Sequence, residues 1–177
     1  MWVTTAILYS VFDFTTLRNR DGPEKFLKGF KGYLQADAYA GYDRMCSGPD
    51  VTEAGCWAHA RRKFIEAIDT DARAREMVDL IGELYAVEAL ARPAIVAARA
   101  LLFEQRIAAL PEAFAARKKQ REEFSKPVLD RIEAWMKARL ADTLPKSPLS
   151  QAIGYVRNQC QALNEYVEDG ALEIDNK

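Results

Sequence analysis

The 177-residue sequence is poor in several things that would point quickly to a class. Although 49% of it is hydrophobic, it holds no run of about eighteen apolar residues, so no membrane span is expected. The opening "MWVTTAILYS" has apolar character but no basic n-region and no small-residue cleavage site, and is not read as a signal peptide. Histidine occurs once, at His59, which leaves a histidine-dependent nucleophilic site without an evident partner. The three cysteines, Cys46, Cys56 and Cys160, are odd in number and lack framework spacing. That argues against a disulfide scaffold and for a reduced, intracellular setting. There is no excess of positive charge either: 25 Lys and Arg stand against 26 Asp and Glu, for a net charge of −1. A freestanding nucleic-acid binder is usually more basic, so any DNA contact has to come from a local patch.

What is present changes character near residue 60. Before it, apolar and β-branched residues come in short runs separated by turn signals. Residues 2–9 and 11–16 read as strands, "RNRDGP" as a loop, and Phe26, Leu27 and Phe30 as a short helix ending near Gly32. Strands over 33–37 and 51–56 follow. From His59 the pattern is helical. Met77, Leu80, Ile81, Leu84 and Val87 form one amphipathic stripe, and Val96, Ala100, Phe103, Ile107 and Leu110 another. Pro111 is expected to break or restart the helix. A third helix carries Val128, Ile132, Trp135 and Met136, opened by Ser125 with Pro127 in its first turn. The last is capped by Ser147, starts at Pro148 and runs a stripe through Leu149, Ile153, Val156, Cys160, Leu163 and Val167 to a C-cap at Gly170. The charged "ARKKQREEF" reads as a solvated helix face. The fold class is α/β in the α+β sense: a mixed sheet followed by a long helical region.

Three stretches bear chemistry, each with a bland reading beside the sharp one. Asp37 ends an apolar run, "YLQAD", where it either makes an Asx-turn or holds a hard cation such as Mg²⁺ with other carboxylates. Cys56 and His59 have the spacing of half a zinc site, yet Cys46 and Cys160 lack the paired spacing to complete one; the alternative is a strand-to-helix corner with a packed Trp57. Arg61, Arg62 and Lys63 cannot all face one way on a helix. They either touch different phosphates of a curved backbone or form a solvated helix start.

"LKGFKGYLQADAYAGYDRM", "VTEAGCWAHARRKF" and "LPKSPLSQAIGYVRNQCQALNEYVEDGALEIDN", in that order, closely resemble the bacterial insertion sequence family sixty-six transposases. "LIGELYAVE" and "SKPVLDRIEAW" fit the same family. The resemblance covers nearly the whole chain. It implies a partial RNase H-like core over 1–70, a helical insertion over 71–145 and a helix returning to the core over 146–177. It also implies DDE chemistry, in which two Asp and one Glu hold Mg²⁺ or Mn²⁺ for DNA strand cleavage and transfer. On this resemblance Asp37 matches the second Asp and is the catalytic and metal residue. Cys56 and His59 match a Cys-x-x-His element of structural or DNA-positioning role. For a DNA-acting protein, Arg61, Arg62 and Lys63 are the candidate DNA-binding stretch on their charge and position, beside the solvated-face reading. The first Asp, in an "A-D-E-T"-like strand, has no counterpart here, and "LEIDNK" stops short of the "N-N-x-x-E-R" helix that carries the Glu; Glu173 does not match it. The expectation is a transposase catalytic domain truncated at both ends and inactive alone. Its partners would be transposon-end DNA and a second copy or full-length transposase, in the bacterial cytoplasm. The alternative is a non-enzymatic interaction module that binds a protein such as full-length transposase.

Overall fold

The computed structural model describes residues 2–5, 10–13, 27–35 and 46–176, the first two stretches by their backbone only. β1 (Trp2–Thr5) pairs antiparallel with β2 (Ser10–Asp13), Trp2 opposite Asp13. β3 (Gly32–Gln35) pairs in parallel with β4 (Val51–Ala54), Gly32 opposite Val51 and Gln35 opposite Ala54. The described part of the expected short helix is a turn at 27–29, and the ends of several predicted strands lie outside the described residues.

The rest is helical, and the described chain is α+β with helix dominant. α1 spans Trp57–Ala67, α2 Ala74–Ala100 and α3 Phe103–Gln120. A π-helical turn, Arg121–Ser125, joins α3 to α4 (Lys126–Leu140). α5 (Pro148–Asn158), α6 (Cys160–Asn164) and a 3-10 turn (Glu165–Val167) complete the order. Three of the four stripes converge on one core, in which Trp57, Phe64, Met77, Ile81, Leu84, Ile132, Leu149, Ile153 and Leu163 are buried. The expected stripe from Val96 to Leu110 does not: the chain leaves helix between α2 and α3, and Val96, Ala100, Phe103 and Ile107 are exposed, with only Leu110 buried. Each fully buried large apolar side chain contributes about 1.5–3 kcal/mol. Phe64 meets Trp135 edge-on, with ring centroids 6.1 Å apart. Among the described residues no helix is long and apolar enough to cross a membrane.

Five further expectations differ from the structure. Pro111 does not break its helix; it sits exposed inside α3, where water serves the carbonyl left without its usual donor. Ser125 does not open a helix. Its backbone is helical, its side chain makes no cap, and the chain runs on from α3 through the π turn into α4. The charged run is not simply solvated, because Arg117 and Arg121 within it are buried. The final helix has the expected start: the Ser150 amide donates to Ser147 Oγ at 3.2 Å and Pro148 is its first residue. It then interrupts at Gln159 (φ −102°, ψ 11°), and Leu163 and Val167 reach the core from α6 and the 3-10 turn. Gly170 is needed for close approach and not for a left-handed cap: a Cβ there would stand 1.9 Å from the carbonyl oxygen of Phe114.

Candidate functional site

Ligand sites of α/β proteins lie outside the carboxyl ends of parallel strands. Here that edge is formed by Gln35 on β3 and by Ala54, Gly55 and Cys56 leaving β4. Gly55 packs against the 160s: its amide donates to Ala162 O at 2.7 Å, and a Cβ on it would come within 3.0 Å of the Leu163 amide nitrogen. The next residues start α1. Trp57 is buried and its indole Nε1 donates to Leu163 O at 2.8 Å.

A stretch without helix or strand, residues 168–176, crosses this edge. Backbone groups this irregular must find partners elsewhere, and here side chains and one amide hold both the backbone and the side chains of the stretch. Gln35 Nε2 donates to Glu173 O at 2.7 Å and to Gly55 O at 3.3 Å. The Trp57 amide donates to Ile174 O at 3.1 Å, the Tyr85 hydroxyl to Asp175 Oδ2 at 3.0 Å, and Cys56 Sγ to Asn176 Oδ1 at 3.1 Å. From the helical side, Arg117 Nε donates to Gly170 O at 2.7 Å and its Nη1 to Glu173 Oε2 at 2.9 Å. Arg99 holds the other oxygen of Glu173 at 2.9 Å. Arg121 is fully buried and its guanidinium makes five hydrogen bonds, two to Glu88 and one each to the carbonyls of Tyr166, Asp169 and Leu172. Five is the whole donor inventory of an arginine. Its plane also lies over the Tyr166 ring, 4.8 Å from the centroid.

The electrostatics follow from this packing. Burial works to raise the Glu173 carboxyl, but Arg117 and Arg99 outweigh it and hold the group below the usual glutamate range. Burial, seconded by the neighbouring charge of Arg121, lowers Arg117, against the pull of Glu173 and Glu88. Burial pushes the Tyr166 phenol up to about 12, despite an opposing influence of the nearby Ser125 hydroxyl; the two groups do not align into a hydrogen bond. Tyr85 is raised by burial and by the Asp175 carboxylate, with Arg61 acting the other way.

The sequence-predicted residues fall as follows. Asp37 lies outside the described residues; β3 ends at Gln35, two positions before it. Cys56 is the buried residue preceding α1 and His59 is half-buried in its first turn. Arg61, Arg62 and Lys63 are exposed and diverge around α1. Lys63 Nζ lies over the Tyr155 ring, 4.8 Å from its centroid, while Arg61 stands close enough to Tyr85 to influence its phenol. Among the described residues no three His, Cys, Asp or Glu side chains gather into a metal site, and Glu173 and Asp175 are engaged by protein donors. Gln35, Tyr85, Arg117 and Arg121 were not singled out from sequence, and Glu173 was considered only as a catalytic Glu and set aside. For the arginines a signal existed: Phe103, Ile107 and Leu110 continue at the same spacing through Phe114 to Arg117 and Arg121.

The family model described as Transposase IS66 family matches residues 1–177. The chain belongs to the IS66 transposase family. It is 29% identical over 168 residues to the uncharacterized protein y4qI of Sinorhizobium fredii, covering 90% of this chain and 28% of the relative. It is 28% identical over 189 residues to y4hP of the same organism, covering 97% and 30%, and 26% identical over 171 residues to y4jD, covering 92% and 30%. The chain thus spans less than a third of the length of these relatives. No solved structure matches it.

Proposed function

We propose that these 177 residues form part of the catalytic region of a DDE-type transposase, acting on transposon-end DNA in the bacterial cytoplasm. Residues 1–70 are the RNase H-like portion, 71–145 a helical insertion and 146–177 the return to the core. Asp37 contributes one carboxylate to a Mg²⁺ or Mn²⁺ site. These residues are expected to bind DNA. The observation that carries the reading is the arrangement of the sheet edge. β3, the strand leading toward Asp37, runs parallel to β4, and after two intervening residues β4 is followed by α1, whose second turn carries Arg61, Arg62 and Lys63.

The test is DNA binding against salt. Phosphate contacts release counterions, so affinity should fall steeply with salt and be indifferent to sequence. Changing Arg61, Arg62 and Lys63 together to alanine should flatten that slope; an unchanged slope returns the stretch to a solvated face. A second reading, a protein-interaction module, is favoured by one observation: Leu102, Phe103 and Ile107 are exposed where α2 turns into α3. A stable complex with full-length transposase and no DNA affinity would select it.

A further inference from the structure

Residues 168–176 are fastened across the sheet edge from two sides, and the two sets of contacts meet on one residue. The backbone carbonyl of Glu173 accepts from Gln35 on β3, and its carboxylate accepts from Arg117 on α3 and Arg99 on α2. Beyond Glu173 the chain touches the start of α1, where the Trp57 amide donates to Ile174 O. Nothing in this stretch is a sheet ladder or a helix, so its position is set by these contacts.

We propose that Gln35 and Arg117 are positioning residues that clamp residues 168–176 against the carboxyl ends of β3 and β4. Through that stretch the α2–α3 hairpin and β3 are mechanically coupled. Gln35 suits the task because a single amide nitrogen bridges three separate parts of the chain: the end of β3, the end of β4 at Gly55 and the crossing stretch. Arg117 suits it because its planar fork spans two points of that stretch at once, Gly170 O and Glu173 Oε2; a lysine ammonium is a point charge and cannot reproduce this. Arg121, anchored on Glu88, holds the preceding carbonyls so that pulling on either side moves residues 173–176 as a unit. The bearing of this clamp on Asp37 rests on the function proposed above, whereas the clamp can be tested without it.

Trp57 provides the readout. Its backbone amide is bonded to Ile174 O inside the clamped stretch, while its indole N–H is bonded to Leu163 O outside it. The Gly55 amide, bonded to Ala162 O, is a second outside reference. Amide exchange is measured by NMR on the full 177-residue chain carrying Gln35→Ala or Arg117→Lys. Exchange at the Trp57 amide should rise about tenfold, the scale of one lost hydrogen bond, with both reference groups within about twofold of wild type. In Arg117→Lys the Gln35 side-chain amide resonances should also shift, since the stretch carries the change across. If Arg117→Lys does not fold, Glu173→Gln, a change at a half-exposed side chain, takes its place. A rise shared by the Trp57 amide and the references would reduce both residues to general stabilisers and overturn the proposal. So would an unmoved Trp57 amide. A failure of Asp37 in a cleavage assay would leave the exchange result intact, so the two readings fail separately.

Discussion

The guanidinium of Arg121 forks onto the carboxylate of Glu88, with Nε to Oε1 at 2.6 Å and Nη2 to Oε2 at 2.8 Å, and both side chains are buried. Breaking such a pair from one side strands a buried charge and costs about 3–5 kcal/mol. Glu88→Ala should therefore lower the urea midpoint by a large fraction of the total stability. The apolar double Arg121→Met/Glu88→Leu should stay well below wild type, because three backbone carbonyls lose their donor at about 1–3 kcal/mol each. A double variant as stable as wild type would show that those carbonyls find other partners.

Two glycines should respond in opposite directions to alanine. Gly170 has the Phe114 carbonyl oxygen where a Cβ would sit, at 1.9 Å, so Gly170→Ala forces backbone apart. A loss of about 1–3 kcal/mol is expected for overpacking of this kind. Gly82 lies exposed within α2 with open space around it, and Gly82→Ala should stabilise by roughly 0.5–1 kcal/mol. Thermal melts of the two variants decide; equal shifts would contradict the packing at Gly170.

Acid should loosen the edge through Glu173. Its carboxyl is held below the ordinary value of 4.5 by Arg117 and Arg99, which outweigh burial. A group with a depressed folded pKa contributes stability that is fully present above its unfolded value and is lost as pH falls through the folded one. Asp71, lowered by its hydrogen bond from Arg73, and Glu76, lowered by those from Trp135 and Arg139, act in the same sense. Glu165, raised by burial and by Glu168, acts in the opposite sense. Melting temperature followed from pH 6 downward should thus decline below about pH 4.5, the region of ordinary carboxyl titration. Glu173→Gln should make that decline shallower. An identical acid limb in the variant would mean that Glu173 carries none of it.

The cleavage proposed above rests on Asp37. A chimera in which these 177 residues replace the matching segment of a longer family member should nick a transposon-end duplex with Mn²⁺, and Asp37→Asn should abolish that activity. Robust nicking by the 177 residues alone would show that they hold a full set of carboxylates. A chimera indifferent to Asp37→Asn would show that another acid does the work.

Periodicity carried much of the helical half. The stripe from Leu149 to Val156, with Ser147 and Pro148 at its start, was legible because capping and amphipathic spacing are local properties. Val156→Asp should accordingly cost several kcal/mol, and a wild-type melting temperature would mean α5 is undocked. Arg117 and Arg121 escaped because charge in a mixed-sign run normally marks solvent. Their burial depends on Glu88, 33 residues from Arg121, and on carbonyls still further along the chain. Pro111 misled for a related reason: a proline penalises a helix on one face, and here that face is in water. At the site, Gln35 and Glu173 are 138 positions apart, a separation no local pattern reports.

Arg121 addresses its neighbours through their carbonyl oxygens, at Tyr166, Asp169 and Leu172, and every amino acid carries that oxygen. Its grip on positions 169 and 172 is therefore blind to which side chains stand there. Heritable constraint from these bonds falls on a single codon and its acidic counterpart at Glu88, while the stretch they hold stays free, as far as they are concerned, to vary from one family member to the next.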